Sequence, residues 1–128
     1  MVNGIIRLCL IQKIEEESCK VYYFTVPKLE EIHLPESLVK INMCTFENNN
    51  LTEVYIPKNV KTIIADAFDK NPLRKITIPS GIEIKWYRKY DDVWNKFCLY
   101  YLDKRQKGGT YVFDGNSWVY EAEVNYER

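Results

Sequence analysis

Three stretches of the chain share one pattern of apolar residues and proline, which recurs every 22 residues without a gap, at residues 29, 51 and 73. The first row reads LEEIHLPESLVKINMCTF, the second reads LTEVYIPKNVKTIIADAF, and the third begins LRKITIPSGIEI. A unit this short cannot bury its apolar side by itself, so successive rows have to stack on one another. The repeat therefore constrains the fold more than any other feature of the sequence.

Each row opens with apolar residues two positions apart, the spacing that sends alternate side chains to one face of a β-strand. These pairs are Ile32 and Leu34, Val54 and Ile56, and Ile76 and Ile78. A proline follows each pair, and because proline has no N–H to donate, each strand is predicted to end there. The return path, either irregular or a helical turn, carries Val60, Ile63 and Phe68 back to a shared core. The polar junctions 47–50 and 69–72 are predicted to be turns.

These rows resemble the BspA-like leucine-rich repeats, whose unit reads L-x-x-I-x-I-P-x-x-V-x-x-I-x-x-x-A-F. The second row fits nearly letter for letter, whereas the first has Thr45 before its phenylalanine and the third loses the register after Ile84. The resemblance implies a β-rich, mixed α/β solenoid of parallel strands over residues 29–84. It also implies a non-catalytic protein-binding module, with adhesion to a host matrix protein and a cell-surface or secreted location.

The flanking segments are predicted to cap the two ends of the stack within one domain, residues 1–128. Residues 1–28 are interpreted as a hairpin, from two strand-like runs at 4–14 and 20–26, or as a degenerate first coil. Residues 85–128 begin with Asp91 and Asp92, which favour a helix start, and the apolar spacing that follows predicts a helix of about ten residues. The basic residues Lys104, Arg105 and Lys107 then mark the helix terminus, which Gly108 and Gly109 end.

A hairpin is predicted after the helix, because Thr110–Phe113 and Ser117–Tyr120 flank the turn sequence DGN. The stretch KGGTYVFDGNSWVYE also resembles a tail that follows such repeats in spirochaetal, treponemal-type proteins. Twelve of the 18 aromatic residues lie in 86–128. We interpret them as the apolar core of a cap rather than as a platform for carbohydrate or bases.

Composition argues against several classes of function. With 18 basic and 18 acidic residues, the formal charge is zero, so bulk electrostatics draws neither nucleic acid nor an anionic membrane. One histidine and no C-x-x-C pair argue against a zinc site. The four cysteines, Cys9, Cys19, Cys44 and Cys98, leave disulfides open in a secreted protein, but their wide, irregular spacing favours free thiols. Neither a nucleophile–base pair nor a phosphate-binding glycine loop is recognisable, so we expect no enzyme activity and no cofactor.

The N-terminus does not read as a signal peptide or a membrane span. A native start at Met1 would therefore predict a cytoplasmic protein, whereas a trimmed leader would agree with the surface location that the family implies.

Candidate binding residues are those that alternate with core positions along the predicted strands. They form a patch of two residues on each of three rows: Glu31 and His33, Glu53 and Tyr55, and Lys75 and Thr77. This face covers on the order of 300 Å², whereas a standard interface takes about 800 Å² from each partner. The favoured hypothesis is binding of a protein segment or peptide. The alternative is a self-assembling structural protein, or a binder of a small apolar molecule, acting through an exposed hydrophobic surface.

Overall fold

A computed structural model describes residues 29–42, 45–64, 66–85 and 92–126. Seven strands and one helix lie in these ranges, and they follow one another in this order: β1 (Lys40–Ile41), β2 (Glu53–Tyr55), β3 (Thr62–Ile64), β4 (Lys75–Ile78), β5 (Glu83–Lys85), α1 (Val93–Asp103), β6 (Gly109–Phe113) and β7 (Trp118–Ala122). The predicted N-terminal hairpin or degenerate coil, residues 1–28, lies outside the described residues.

The strands predicted at the start of rows two and three form as β2 and β4, and they pair in parallel. Glu53 lies opposite Lys75 and Tyr55 opposite Thr77, so each partner is one repeat period away. The predicted strand of row one does not form, although Ile32 and Leu34 keep the alternating pattern and are half-buried. Because these two side chains are only partly buried, they make fewer of the apolar contacts that would hold the segment in a β-sheet.

A second parallel sheet, in the order β1-β3-β5, corrects the prediction for the return path. That path is neither irregular nor a helical turn at these positions, since Ile41 pairs with Ile63, and Ile63 with Ile84. The physical reason is visible in the composition of β3, whose Thr62, Ile63 and Ile64 are all β-branched and suit a pleated surface. Each of rows two and three therefore contributes one strand to each sheet.

The apolar repeat positions fill the space between the two sheets. Val60, Ile63 and Phe68 are buried as predicted, and the rings of Phe46 and Phe68 stack with centroids 5.5 Å apart. At the junctions, Asn48 and Lys70 both adopt a φ of 61°, which confirms the predicted turns. Stacking of the rows therefore repeats the backbone pairing of the strands and also the contacts between equivalent side chains, such as Phe46 and Phe68.

The C-terminal segment contains the predicted helix and hairpin. Asp92 is the N-cap of α1, and its carboxylate accepts a hydrogen bond from the N–H of Asn95 at 3.0 Å. The buried rings of Trp94, Phe97 and Tyr101 stack along one side of the helix, and the ring of Trp94 packs edge-on against Phe68 of the repeat. These three aromatic residues therefore continue the repeat core.

Candidate functional site

Four of the six predicted site residues lie together on the outer face of the sheet β2-β4-β6-β7. Glu53 and Tyr55 project from β2, and Lys75 and Thr77 from β4, because their neighbours Val54, Ile76 and Ile78 point into the core. The ammonium of Lys75 lies 3.9 Å from the Glu53 carboxylate. The Lys75 side chain is 45% exposed and the Glu53 side chain 67%, so this solvent-accessible ion pair contributes little to stability and stays available to a partner.

The other two predicted site residues, Glu31 and His33, lie on a segment that forms no strand. They contact each other, with His33 Nε2 2.8 Å from Glu31 Oε2, and both side chains are exposed. Within the described ranges neither of them forms a hydrogen bond or ion pair with the other four site residues. The structure therefore assembles a two-strand patch where the sequence predicted three.

The C-terminal hairpin extends this patch in the direction away from row one. Strand β6 pairs antiparallel with β4, so that Thr110 lies opposite Thr77 and their hydroxyl oxygens are 3.1 Å apart. Val112 lies opposite Lys75, and Val119 of β7 lies opposite Val112. The outer face thus spans four strands and ends in the exposed side chain of Val119. We call this surface the outer sheet face.

Sequence reasoning missed this extension because it assigned Gly108 and Gly109 only to ending the helix. A Cβ at Gly108 would lie 2.6 Å from the backbone nitrogen of Ser80, so the absence of a side chain is what lets the hairpin approach the third row. The glycine pair was therefore the available indication that two backbones meet here.

Tyr55 lies beside Tyr126, a residue that the sequence analysis did not single out. The ring centroids are 5.7 Å apart with the planes tilted by 47°, and the Tyr126 hydroxyl donates a 2.7 Å hydrogen bond to the carbonyl of Ile56. Burial, followed by the charges of Tyr55 and Glu36, raises the pKa of Tyr126. Burial and the charge of Glu36 also raise the pKa of Tyr55, so both phenols stay neutral and can take part in hydrogen bonds.

A cleft of about 420 Å³ opens between the strand end and the C-terminal segment, lined by Glu36, Tyr55, Lys58, Asn125 and Tyr126. Two aromatic rings, one carboxylate, one ammonium and one amide meet there. This set can surround an apolar or aromatic side chain and bind polar backbone groups on either side of it. It contains no nucleophile with an adjacent base.

The remaining chemistry of the described residues does not favour a reactive centre. Cys98, the one cysteine of four that lies in the described ranges, is a fully buried free thiol, and burial raises its pKa well above the ordinary value. A thiol of this kind is a poor nucleophile. Over the same ranges no group of three or more histidine, cysteine or carboxylate side chains is placed to hold a metal ion. Nor is any helix there long and apolar enough to cross a membrane.

Comparison with known proteins gives one family match. A family model described as the BspA type leucine rich repeat region matches residues 13–90 in six copies, an interval that contains all three rows read from the sequence. No curated protein and no solved structure matches the chain.

Proposed function

Since this chain belongs to the BspA-type leucine-rich repeat family, whose repeats generally mediate protein–protein interaction and are typically non-catalytic, we propose that it binds a peptide or an exposed loop of another protein on the outer sheet face. The rows are proposed to stack as turns of a short solenoid, which presents this face as one continuous surface. The partner's anchor side chain enters the cleft beside Tyr55.

The observation that carries the proposal is the position of Tyr55. Tyr55 is 50% exposed at the end of the edge strand β2, between the Glu53–Lys75 ion pair and the cleft at Tyr126. Tyrosine is enriched at binding hot spots because it offers a large amphipathic area at a small cost in side-chain entropy. An exposed tyrosine that is partly held by a neighbouring ring is already ordered for binding.

The size of the surface sets the class of partner. Four strands spaced about 4.8 Å apart give a width of about 15 to 20 Å, so the face is on the order of 300 Å². A globular partner would take about 800 Å² from each side. A peptide of a few residues matches the smaller area, and its main chain can use polar groups such as Thr77 and Thr110.

Selection from a displayed peptide library on the immobilised protein tests this proposal. Peptides that bind the wild type should bind the double variant Tyr55→Ala, Glu53→Lys at least tenfold more weakly, as expected for the loss of an anchor worth about 1.4 kcal/mol or more. Glu83→Lys is the matched control, because it reverses an exposed carboxylate on the other sheet. Equal binding by the double variant and the wild type would exclude the outer sheet face as the binding surface.

We further propose that the natural ligand is a matrix protein and that the chain acts at a cell surface in adhesion, as the family resemblance implies. Adhesion predicts saturable binding to at least one immobilised extracellular-matrix protein, and the same double variant should lose it. If the chain binds peptides but no matrix protein, the outer sheet face stays supported as the binding surface and the proposed role in adhesion is contradicted.

A further inference from the structure

Helix α1 exposes two leucines on the side that faces away from the repeat core. Leu99 is 44% exposed and Leu102 is 41% exposed, although Trp94, Phe97 and Tyr101 of the same helix are buried. Isolated exposed leucines are ordinary, but two that are three residues apart lie next to each other on a helix and form one apolar stripe. The stripe is separate from the outer sheet face.

A cleft of about 510 Å³ runs beside this stripe, between α1 and the turn of the β6–β7 hairpin. Leu99, Tyr100 and Trp118 provide its apolar lining, while Asn116 and Ser117 border it on the hairpin side. The helix edge of the same cleft carries Lys96 and Asp103, one on each side of Leu99 in sequence. The surface is therefore apolar in the middle, basic at one end and acidic at the other.

This charge order is unfavourable for α1 alone. Lys96 lies near the N-terminus of the helix and Asp103 at its C-terminal end, whereas the helix dipole favours acidic residues at the start and basic residues at the end. The charges that do suit the dipole lie on the flanking caps, Asp92 and Lys104, whereas the first turn itself contains no acidic residue and the last turn no basic one. Within the described ranges neither side chain takes part in an ion pair. An external partner with the opposite charge order would compensate both ends.

We propose that the occupant of this surface is helix α1 of a second copy of the chain, packed antiparallel about a two-fold axis. An antiparallel pair centred between Leu99 and Tyr100 brings Lys96 of each copy to the level of Asp103 of the other. Leu99 of each copy then lies beside the axis and faces the cleft of the opposite copy. A two-fold interface requires a surface that is complementary to itself, and this arrangement of charges satisfies that condition.

The area predicts a weak, concentration-dependent dimer. An 11-residue helix is about 16 Å long and about 10 Å wide, so with the hairpin rim each copy contributes on the order of 300 to 400 Å². Such an interface belongs to the small, transient class, with a dissociation constant between micromolar and millimolar. Dimerisation leaves the outer sheet face open, because Val119 points away from the hairpin side that packs on Phe97.

Sedimentation velocity over a range of concentrations provides the first test. The weight-average mass should rise from 15.3 kDa toward twice that value as the wild type is concentrated from about 10 μM to about 1 mM. Leu99→Ser should shift the midpoint at least tenfold higher. Val119→Ser is the matched control, since Val119 is 48% exposed on the other face, and it should leave the midpoint unchanged. A wild type that stays monomeric over the whole range overturns the proposal.

Charge reversal distinguishes a two-fold dimer from any other use of the surface. Lys96→Glu and Asp103→Lys should each weaken self-association about tenfold, because each places like charges together at both ends of the interface. Mixing the two variants should restore dimers, because in the mixed pair residue 96 of each copy again lies beside a residue 103 of opposite charge. Both changes favour the helix dipole, so unfolding cannot explain the loss. No heterodimer in the mixture would overturn the proposal and leave a foreign helix or a small apolar molecule as the occupant.

Discussion

The hydroxyl of Tyr126 donates a 2.7 Å hydrogen bond to the main-chain carbonyl of Ile56. The Ile56 N–H donates to the carbonyl of Thr77 at 2.8 Å, and a regular parallel ladder would next bring the N–H of residue 79 to the Ile56 carbonyl. Residue 79 is a proline and has no N–H. The proline that ends the strand of row three therefore leaves an acceptor at the end of row two, and the C-terminal segment occupies it.

Tyr126→Phe should remove this hydrogen bond while keeping the ring contact with Tyr55. We expect the free energy of unfolding to fall by about 1 kcal/mol, the net worth of one hydrogen bond to a part-buried carbonyl, and limited proteolysis to cleave the C-terminal segment faster. Urea unfolding and a protease time course measure the two effects. Tyr55→Phe is the control, because the Tyr55 hydroxyl makes no hydrogen bond within the described ranges. Equal behaviour of the two variants would contradict the assignment.

The asparagine at the junction of rows two and three should be among the most sensitive polar residues of the repeat. Asn71 is buried, its side-chain oxygen accepts from the N–H of Leu51 at 3.0 Å, and its amide donates to the carbonyls of Phe46 at 2.9 Å and Phe68 at 3.0 Å. Asn71→Ala removes the side-chain partner of the Leu51 N–H and of the Phe68 carbonyl, while the Phe46 carbonyl keeps its hydrogen bond from Asn49, and should cost about 3 kcal/mol. Asn59→Ala, which removes one exposed hydrogen bond to Glu36, should cost about 0.5 kcal/mol. Chemical denaturation of both variants compares the two costs, and equal costs would contradict this role.

The sequence predicted those parts of the fold that depend on neighbouring residues. The period of 22 located the stacking positions, and Asn48 and Lys70 adopt the left-handed turns expected at the junctions. Asp92 caps the helix because a carboxylate one residue before the first turn can accept from its free N–H groups. The turns and the helix cap are decided within a few residues of chain, and the stacking positions are marked by a pattern that repeats along it.

The sequence did not predict features that join distant segments. The pairing of Thr77 with Thr110 and the contact of Tyr126 with Ile56 link residues 33 and 70 positions apart. No periodicity specifies such registers, because they depend on how the cap packs against the last row. The spacing of the sequence therefore placed four candidate residues on one face of β2 and β4, but the extension of that face by the hairpin and the cleft beside Tyr55 emerged only from tertiary structure.

Gly109→Ala should disturb the packing of β6 against β7 within the hairpin. Gly109 has a φ of +153°, and a Cβ there would lie 2.5 Å from the Tyr120 ring and 2.6 Å from the carbonyl of Ala122. Relieving both contacts should cost about 3 kcal/mol, in the range of overpacking in a close-packed region. Gly115→Ala is the control, because its φ of +100° is strained for alanine but its Cβ would meet nothing within 4 Å. It should cost about 1 kcal/mol, and thermal unfolding that ranks the two variants equally would contradict the prediction.

A buried carboxyl group lies where the repeat meets the helix. Asp69 is fully buried, its Oδ1 accepts from the Asn95 side-chain amide at 3.0 Å, and its Oδ2 has no hydrogen-bond partner within the described ranges. Burial, reinforced by the negative charges of Asp92 and Asp66, raises the pKa of Asp69 from 3.8 to about 7. The folded chain therefore holds a proton on Asp69 at a pH where the unfolded chain does not.

This raised pKa predicts that the free energy of unfolding falls as the pH rises from about 4 to about 7, because the folded state binds more protons than the unfolded state in that interval. The fall should amount to about 4 kcal/mol at 1.36 kcal/mol per pKa unit. Asp69→Asn should abolish it, matching the wild type near pH 4 and exceeding its stability at pH 8. Asp114→Asn is the control, since hydrogen bonds from the N–H groups of Ser117 and Asn116 lower the pKa of the exposed Asp114 and confine its effect to acid pH. Urea unfolding at each pH measures the free energy of unfolding. If it falls with pH as steeply in Asp69→Asn as in the wild type, the assignment is contradicted.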